Sequence, residues 1–145
     1  MINFFNKEND KKKTANDNNQ IMLTCCLFIH AAKMDENYTK NEKNMILKAL
    51  HSLYNKSNDE LELILKESEK KENDSNHILE FTREIKNYDK EFRLKIIKIL
   101  WQIIYSDNHS DMYESNLMRR LNGLLYITDK ESGEIKNSIL KSKKE

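Results

Sequence analysis

DENYTKNE, from Asp35 to Glu42, recurs in altered form as DNHSDMYE, from Asp107 to Glu114. The first acids of the two stretches are 72 residues apart (107 − 35), and the last acids have the same offset (114 − 42). Each copy follows an apolar run with helical spacing and precedes another such run. An internal repeat dictates architecture, because equivalent segments adopt equivalent folds. The sequence therefore predicts two similar halves, each a helix, an acidic loop and two further helices, related by a pseudo-two-fold axis.

The composition favours helices. The 145-residue chain has no proline, only two glycines and 34% charged residues. A sheet protein of this size would need more turn-forming residues. We predict an all-α bundle of about seven helices in a single domain, residues 18–142, preceded by a polar, disordered arm, residues 1–17.

Periodicity and capping signals place the individual helices. The first is predicted from about Asn18 to Met34, and the most apolar, from about Asp89 to Tyr105, is expected at the centre of the bundle. The charged stretch 68–73 is either a solvated helix end or a connector, and a short helix follows around 78–85. Capping boxes are predicted at four helix starts: Thr39 with Glu42, Ser57 with Glu60, Asp111 with Glu114, and Thr128 with Glu131.

The net charge and the two cysteines indicate which partners the protein binds and in which cellular compartment it functions. A net charge of +1 gives no global field that would attract nucleic acid or an acidic membrane. Cys25 and Cys26 are adjacent in an apolar run, which predicts two reduced core residues. No apolar run is long enough to span a bilayer, and the first residues do not resemble a signal peptide. We expect a cytoplasmic monomer or weak oligomer that contacts membranes only peripherally.

Five acids in the two stretches are candidate ligands of a divalent cation. Hard cations prefer several carboxylate oxygens, and equivalent loops of two packed halves would bring such oxygens together. His109 in the second stretch would favour zinc or manganese over calcium or magnesium, and the sequence leaves this choice open. The candidates are Asp35, Glu42, Asp107, Asp111 and Glu114.

Helix capping is the alternative interpretation of the same acids. Thr39-x-x-Glu42 and Asp111-x-x-Glu114 both satisfy exposed backbone N–H groups at a helix start without any ligand. Asp35 and Asp107 are less readily explained in this way, because each follows the end of a helix, where the dipole disfavours an anion. The second loop is not an EF-hand, since its sixth position is Met112 instead of glycine.

The residues around the second loop resemble a known family. The segment Leu100–Leu121, LWQIIYSDNHSDMYESNLMRRL, is similar to the second half of TerB-like proteins, the tellurite-resistance-B-like helical domains of bacteria. In the first half, the stretch from Ala31 to Glu42 fits the family half-motif Ala-x-Ala-Asp-Gly-x5-Glu. The resemblance covers about residues 20–135 and is closest to short stand-alone members. It implies an all-α bundle with a metal site formed by the loop acids, although Glu36 and Asn108 replace the family glycines.

These patterns bear on four function classes. The first is a non-enzymatic, cation-binding helical module that scaffolds protein partners in a stress or envelope-associated response. The second is a purely structural interaction module whose acids are caps. A metal-dependent enzyme is disfavoured, because the chain has no Glu-x-x-His pair, phosphate-binding glycine loop or nucleophile elbow. A nucleic-acid binder is disfavoured because the basic residues are interspersed with acids, and Trp101 is interpreted as a core or inter-half anchor.

Overall fold

The computed structural model describes the backbone of residues 2–34, 38–74, 78–106 and 112–144, and the side chains of residues 18–34, 38–74, 78–106 and 116–142. Within these ranges every regular element is an α-helix, and there are seven, which confirms the predicted class. The helices are α1 (Ile2–Lys33), α2 (Lys40–Leu53), α3 (Asn58–Asp74), α4 (Ile78–Ile85), α5 (Lys90–Ile104), α6 (Met112–Leu124) and α7 (Asp129–Lys144). None of the described helices combines the length and apolar character needed to cross a membrane.

Most helix starts agree with the capping signals in the sequence. α2, α3 and α7 begin directly after Thr39, Ser57 and Thr128. α3 continues to Asp74, so the charged stretch 68–73 is the end of a helix and not a connector.

The first helix differs from its prediction. Its backbone is helical from Ile2, well before Asn18, through the segment that the composition assigned to a disordered arm. The physical reason is that residues 2–17 contain neither glycine nor proline, and each residue added to an existing helix gains one backbone hydrogen bond. Since the side chains of residues 1–17 lie outside those described, the domain boundary at 17 stays a prediction.

Two helices share the centre of the bundle. α1 contacts α2, α3, α4 and α5, whereas α5 contacts α1, α2, α6 and α7. Every residue of α1 from Leu23 to Ile29 is buried, including Thr24, which is typical of a helix enclosed on all sides. The sequence therefore identified one central helix, α5, and missed the equal role of α1.

α1 and α5 run in the same direction, with α2 antiparallel to both. The Thr24 hydroxyl, in the last third of α1, lies 3.0 Å from the hydroxyl of Tyr54 at the end of α2. The Tyr54 ring lies 5.6 Å from the ring of Phe92 near the start of α5. Met45, in the first half of α2, lines a groove with Ser106 just after α5. The acidic stretches after α1 and α5 therefore begin at the same end of the bundle.

Each half has the same set of helix neighbours. α1, α2 and α3 contact one another, as do α5, α6 and α7, and α4 is an additional helix packed against α1. Equivalent positions are not identical in detail: Leu50 is buried in α2, whereas its counterpart in α6 is the buried amide Asn122. The pseudo-two-fold axis itself stays a prediction.

Trp101 is a core anchor, as predicted. Its indole N–H donates to the hydroxyl of buried Ser132 on α7 at 3.0 Å, and its ring stacks on Tyr105 at 5.7 Å. The hydrogen bond joins α5 to α7, which belong to the same predicted half, so it does not make Trp101 an anchor between halves. A buried indole N–H needs such an acceptor, because an unpaired one costs about 1–3 kcal/mol.

The two cysteines are buried thiols in the core, also as predicted. Burial raises the pKa of Cys25 to about 12 and that of Cys26 to about 11. Cys26 Sγ donates to the carbonyl oxygen of Ser68 on α3 at 3.5 Å. Thiols held in this protonated state are poor nucleophiles and poor metal ligands.

α6 ends in a tight turn that contains a residue in the left-handed conformation. Tyr126 has φ = 57°, its N–H donates to the carbonyl of Gly123 at 3.4 Å, and the N–H of Ile127 donates to the carbonyl of Asn122 at 2.9 Å. This is the Schellman arrangement, in which glycine is the usual left-handed residue. Arg93 on α5 reinforces the turn by donating to the carbonyls of Leu125 and Tyr126 at 2.7 and 3.1 Å.

Tyr126→Gly is expected to stabilise the protein by about 1 kcal/mol, because glycine removes the left-handed penalty of a side chain. Little packing is lost, since Tyr126 is 64% exposed. Urea unfolding followed by circular dichroism measures the change. Tyr54→Gly is the matched control: Tyr54 ends α2 with φ = −129° and is half-buried, so this variant should be less stable than the parent. A Tyr126→Gly variant no more stable than the parent would contradict the argument.

Candidate metal centre

Only one of the five candidate ligands has a described side chain. Glu42 lies in the first turn of α2. Asp35, Asp107 and Asp111 lie outside the described residues, and Glu114 is in the helical backbone of α6 with its side chain outside them. His109 also falls outside. The five-residue ligand set therefore stays a prediction, and the geometry available is that of the residues around the two stretches.

Glu42 is engaged in the capping box that the sequence predicts. Its carboxylate accepts a hydrogen bond from the backbone N–H of Thr39 at 3.0 Å and another from the Thr39 hydroxyl. The side chain is buried, with 8% of its surface exposed. One carboxylate oxygen is therefore committed to the helix start, which supports a structural role for this acid.

The start of α7 shows the same device away from the acidic stretches. Glu131 accepts from the backbone N–H of Thr128 at 3.2 Å, and its own N–H donates to the Thr128 hydroxyl at 3.1 Å. Hydrogen bonding from Lys90, followed by the contacts with Thr128, lowers the pKa of Glu131 to about 2. Because this box forms far from the acidic stretches, a capping box alone does not indicate a metal site.

A second carboxylate at this end of the bundle, Glu72, contacts two basic residues of α1. Glu72 lies on α3 with 8% of its surface exposed. It accepts from Lys33 Nζ at 2.6 Å, and His30 Nδ1 lies 3.5 Å from its other oxygen. Lys33 also donates to the side-chain oxygen of Asn73 at 2.6 Å. The end of α1 is thus fastened to the end of α3 directly before the first acidic stretch.

Tyr38, in the first acidic stretch, and Lys43, directly after it, continue this polar cluster. Lys43 pairs with Glu69 of α3 at 3.5 Å, and its ammonium lies 5.2 Å from the centre of the Tyr38 ring. Lys33 lies 5.9 Å from the same ring. Burial, and then the neighbouring Glu69 carboxylate, raise the pKa of the Tyr38 phenol above its ordinary value.

Each of the three carboxylates in the described cluster has a hydrogen-bond or ion-pair partner within the chain. Glu42 is bonded to Thr39, Glu69 to Lys43 and Glu72 to Lys33. Over the described part of the chain, no group of three or more acids, histidines or cysteines is close enough to hold a metal ion. Within the described residues, a cation that bound Glu69 or Glu72 would displace a lysine from that carboxylate.

The sequence did not identify Lys33, Glu69 or Glu72 as part of this region. A signal was present, because Leu61, Leu65, Ser68 and Glu72 are all buried and follow one helical stripe along α3. The buried stripe is apolar up to Leu65 and polar from Ser68 onward. A search for apolar periodicity therefore does not detect its polar part. The partner of Glu72 is 39 positions away in sequence, so no local pattern reveals it.

A long trough runs along α5 between α2 and α7. Three adjoining recesses of about 510, 350 and 270 Å³ share residues along it. Its floor is an α5 stripe that includes Lys98 and Gln102, and Met45 of α2 and Ile139 of α7 are on its walls. Lys48 and Lys98 make its middle basic. From Leu94 to Ser106 the stripe extends about 18 Å, at 1.5 Å per helical residue.

Comparison with known proteins gives one match. The family model for tellurite resistance protein TerB matches residues 22–137. No curated protein and no solved structure matches the chain.

Lys33→Met is expected to destabilise the protein by about 1–3 kcal/mol, because it leaves the buried Glu72 carboxylate without its lysine. Glu72→Gln in the same background should recover part of this loss. Chemical denaturation of the parent, both single variants and the double variant gives the coupling energy. Lys43→Met is the control, since its ion pair is more exposed and should contribute at most about 1 kcal/mol. Equal losses in Lys33→Met and Lys43→Met would contradict the assigned role of Glu72.

Proposed function

This chain belongs to the TerB family, and from that premise we propose that it is a non-enzymatic helical module that binds a divalent cation and scaffolds protein partners. The cation would be held by the paired acidic stretches after α1 and α5. We place this activity in the cytoplasm, in a stress or envelope-associated response.

The observation that carries the proposal is the common direction of α1 and α5. Met34 and Ser106 directly precede the two acidic stretches, and both lie at the same end of the bundle because α1 and α5 are parallel. Antiparallel helices would have sent the stretches to opposite ends, too far apart to share an ion. The repeated spacing of acids in the sequence thus has a matching spatial arrangement in the helices that lead into them.

The proposed ligands are Asp35, Asp107, Asp111 and Glu114, with the remaining oxygen of Glu42 as a further donor. Carboxylates without thiolates suit a hard cation such as calcium, magnesium or manganese. Zinc would require a nitrogen donor, for which His109 is the candidate. The buried cysteines are unsuited, since burial keeps both thiols protonated.

The capping box of Thr39 and Glu42 favours a second candidate function. If every acid of the two stretches acts as Glu42 does, the protein is an interaction module without a metal. The two candidates differ in their response to cations, because a ligand that binds only the folded state raises the melting temperature.

The cation proposal predicts a thermal shift. Metal-stripped protein should melt at a higher temperature with at least one of calcium, magnesium, manganese or zinc at about 1 mM. A free cation concentration 100 times the Kd stabilises the folded state by about 2.7 kcal/mol. For a domain of this size, this raises the melting temperature by several degrees. Native mass spectrometry before and after chelation measures the number of bound ions.

Asp35→Asn combined with Asp107→Asn should abolish both the thermal shift and the bound mass. Asp59→Asn is the matched control, because it also removes an acid near a helix end, at the first turn of α3, and should leave both unchanged. An identical melting temperature with all four cations, together with no stoichiometric ion, would establish the capping alternative instead.

The trough along α5 is the surface that we propose for the protein partner. Its length of about three helical turns and the apolar side chains of Met45, Ile135 and Ile139 along its walls suit an amphipathic helix. Lys48 and Lys98 suit carboxylates on that helix.

A photoreactive amino acid at Gln102 should crosslink to one partner segment in cells, and the same probe at exposed Glu91, outside the trough, should not. A synthetic peptide of the crosslinked segment should bind the purified protein, and Lys48→Glu with Lys98→Glu should weaken it at least roughly fivefold. Equal crosslinking from both positions, or binding unchanged by the charge reversal, would exclude the trough.

A further inference from the structure

A separate recess lies at the other end of the bundle from the acidic stretches. It has a volume of about 380 Å³ and lies where the end of α2 meets the turn between α4 and α5. Its lining comes from α1, from the residue that ends α2, and from the turn and first residues of α5: Gln20, Tyr54, Asn87, Tyr88, Asp89 and Phe92. Half of these side chains are aromatic, and the trough and the capping boxes do not include any of them.

The rings of Tyr54, Tyr88 and Phe92 line the recess, and Phe92 is not stacked parallel to either tyrosine. Phe92 is the shared member, with its ring centre 5.6 Å from that of Tyr54 and 5.4 Å from that of Tyr88. The ring planes meet at 59° and 74°, so the rings pack edge to face and present differently oriented surfaces to the recess. All three are half-buried, and the hydroxyl of Tyr54 is fixed by the Thr24 hydroxyl at 3.0 Å.

Asp89 adds a negative charge to the rim of this recess. It occupies the N-cap position of α5, but its side chain makes no capping hydrogen bond. Two basic residues near Asp89 in sequence are engaged elsewhere: Lys90 pairs with Glu131 at 2.8 Å, and Arg93 donates to backbone carbonyls, including that of Tyr88 at 2.9 Å. The carboxylate of Asp89 is therefore available to a ligand in a way that most N-cap carboxylates are not.

We propose that this recess binds a methylated ammonium group. The face of an aromatic ring is negative and attracts a cation within about 6 Å, and several rings at steep angles form the usual cage for such a group. Methyl groups on the nitrogen bring apolar surface into contact with the rings, and Asp89 matches the positive charge. Of the described residues that line the recess, one is a carboxylate, which is too few for a metal ion. An unmethylated ammonium is more strongly hydrated and loses more on entering an aromatic site.

Two sources supply this chemistry: a free quaternary amine or a trimethylated lysine side chain of a peptide. The recess is large enough for either, since ligand pockets of about 300–1,000 Å³ hold small organic molecules. The two sources share the ammonium head and differ in what surrounds it. The site is independent of the proposed cation centre, because its residues lie at the opposite end of α2 and α5.

The test is to titrate the full chain with tetramethylammonium. Calorimetry and NMR of the aromatic ring protons measure the binding. Choline is compared with 3,3-dimethylbutanol, its neutral analogue of the same shape, and a trimethyl-lysine peptide with its unmodified form. We expect the charged and methylated member of each pair to bind more tightly, with shifts confined to Tyr54, Tyr88 and Phe92. Tighter binding of choline than of the peptide identifies a free amine as the ligand, and the reverse order identifies a methylated protein.

Variants connect the binding to the rings and the carboxylate. Phe92→Leu keeps apolar volume but removes the central ring, and should weaken binding at least roughly fivefold. Asp89→Asn changes an exposed residue that makes no capping bond, so it tests the charge without endangering the fold. Asp59→Asn is the control and should bind as the parent does. No saturable binding of any ammonium, or equal affinity for choline and its neutral analogue, would overturn the proposal.

Discussion

Enclosure of α1 between Leu23 and Ile29 is the constraint on which the rest of the structure depends. All seven residues are buried, so helices must pack against this segment from every direction. α2, α3, α4 and α5 do so, and α6 and α7 then pack against α5. The polar members of the segment are satisfied by the helices that cover them: Thr24 by Tyr54 and Cys26 by the Ser68 carbonyl. These pairs fix how α2 and α3 are placed along α1, which in turn sets the direction of α5.

The fastening at the end of α1 follows from the same packing. Lys33 reaches Glu72 and Asn73 because α3 lies along α1 over its whole buried face. Glu72 tolerates burial because a lysine and a histidine lie against it, whereas an isolated buried carboxylate would be expensive. The first acidic stretch therefore follows a corner of the bundle in which α1 and α3 are joined by hydrogen bonds.

The fold was largely predictable, because its signals are local. Capping pairs such as Thr39 with Glu42 and Thr128 with Glu131 mark helix starts within four residues, and apolar periodicity marks the rest. The start of α1 was missed because a polar segment without helix breakers has no apolar face to reveal it. The left-handed Tyr126 was also unpredictable, since glycine or asparagine is the usual signal for that turn. The candidate site was less predictable. The acids of the two stretches can be recognised in the sequence, but the lysines that pair with Glu69 and Glu72 come from other helices, so no local pattern indicates them.

The two adjacent thiols in α1 have a practical consequence. With pKa values near 12 and 11 and no route to solvent, Cys25 and Cys26 carry almost no thiolate at neutral pH. An alkylating reagent can reach them only when the helices around α1 separate. The rate at which the two thiols are alkylated therefore reports how often the helices around α1 separate. No reporter residue has to be introduced for this measurement.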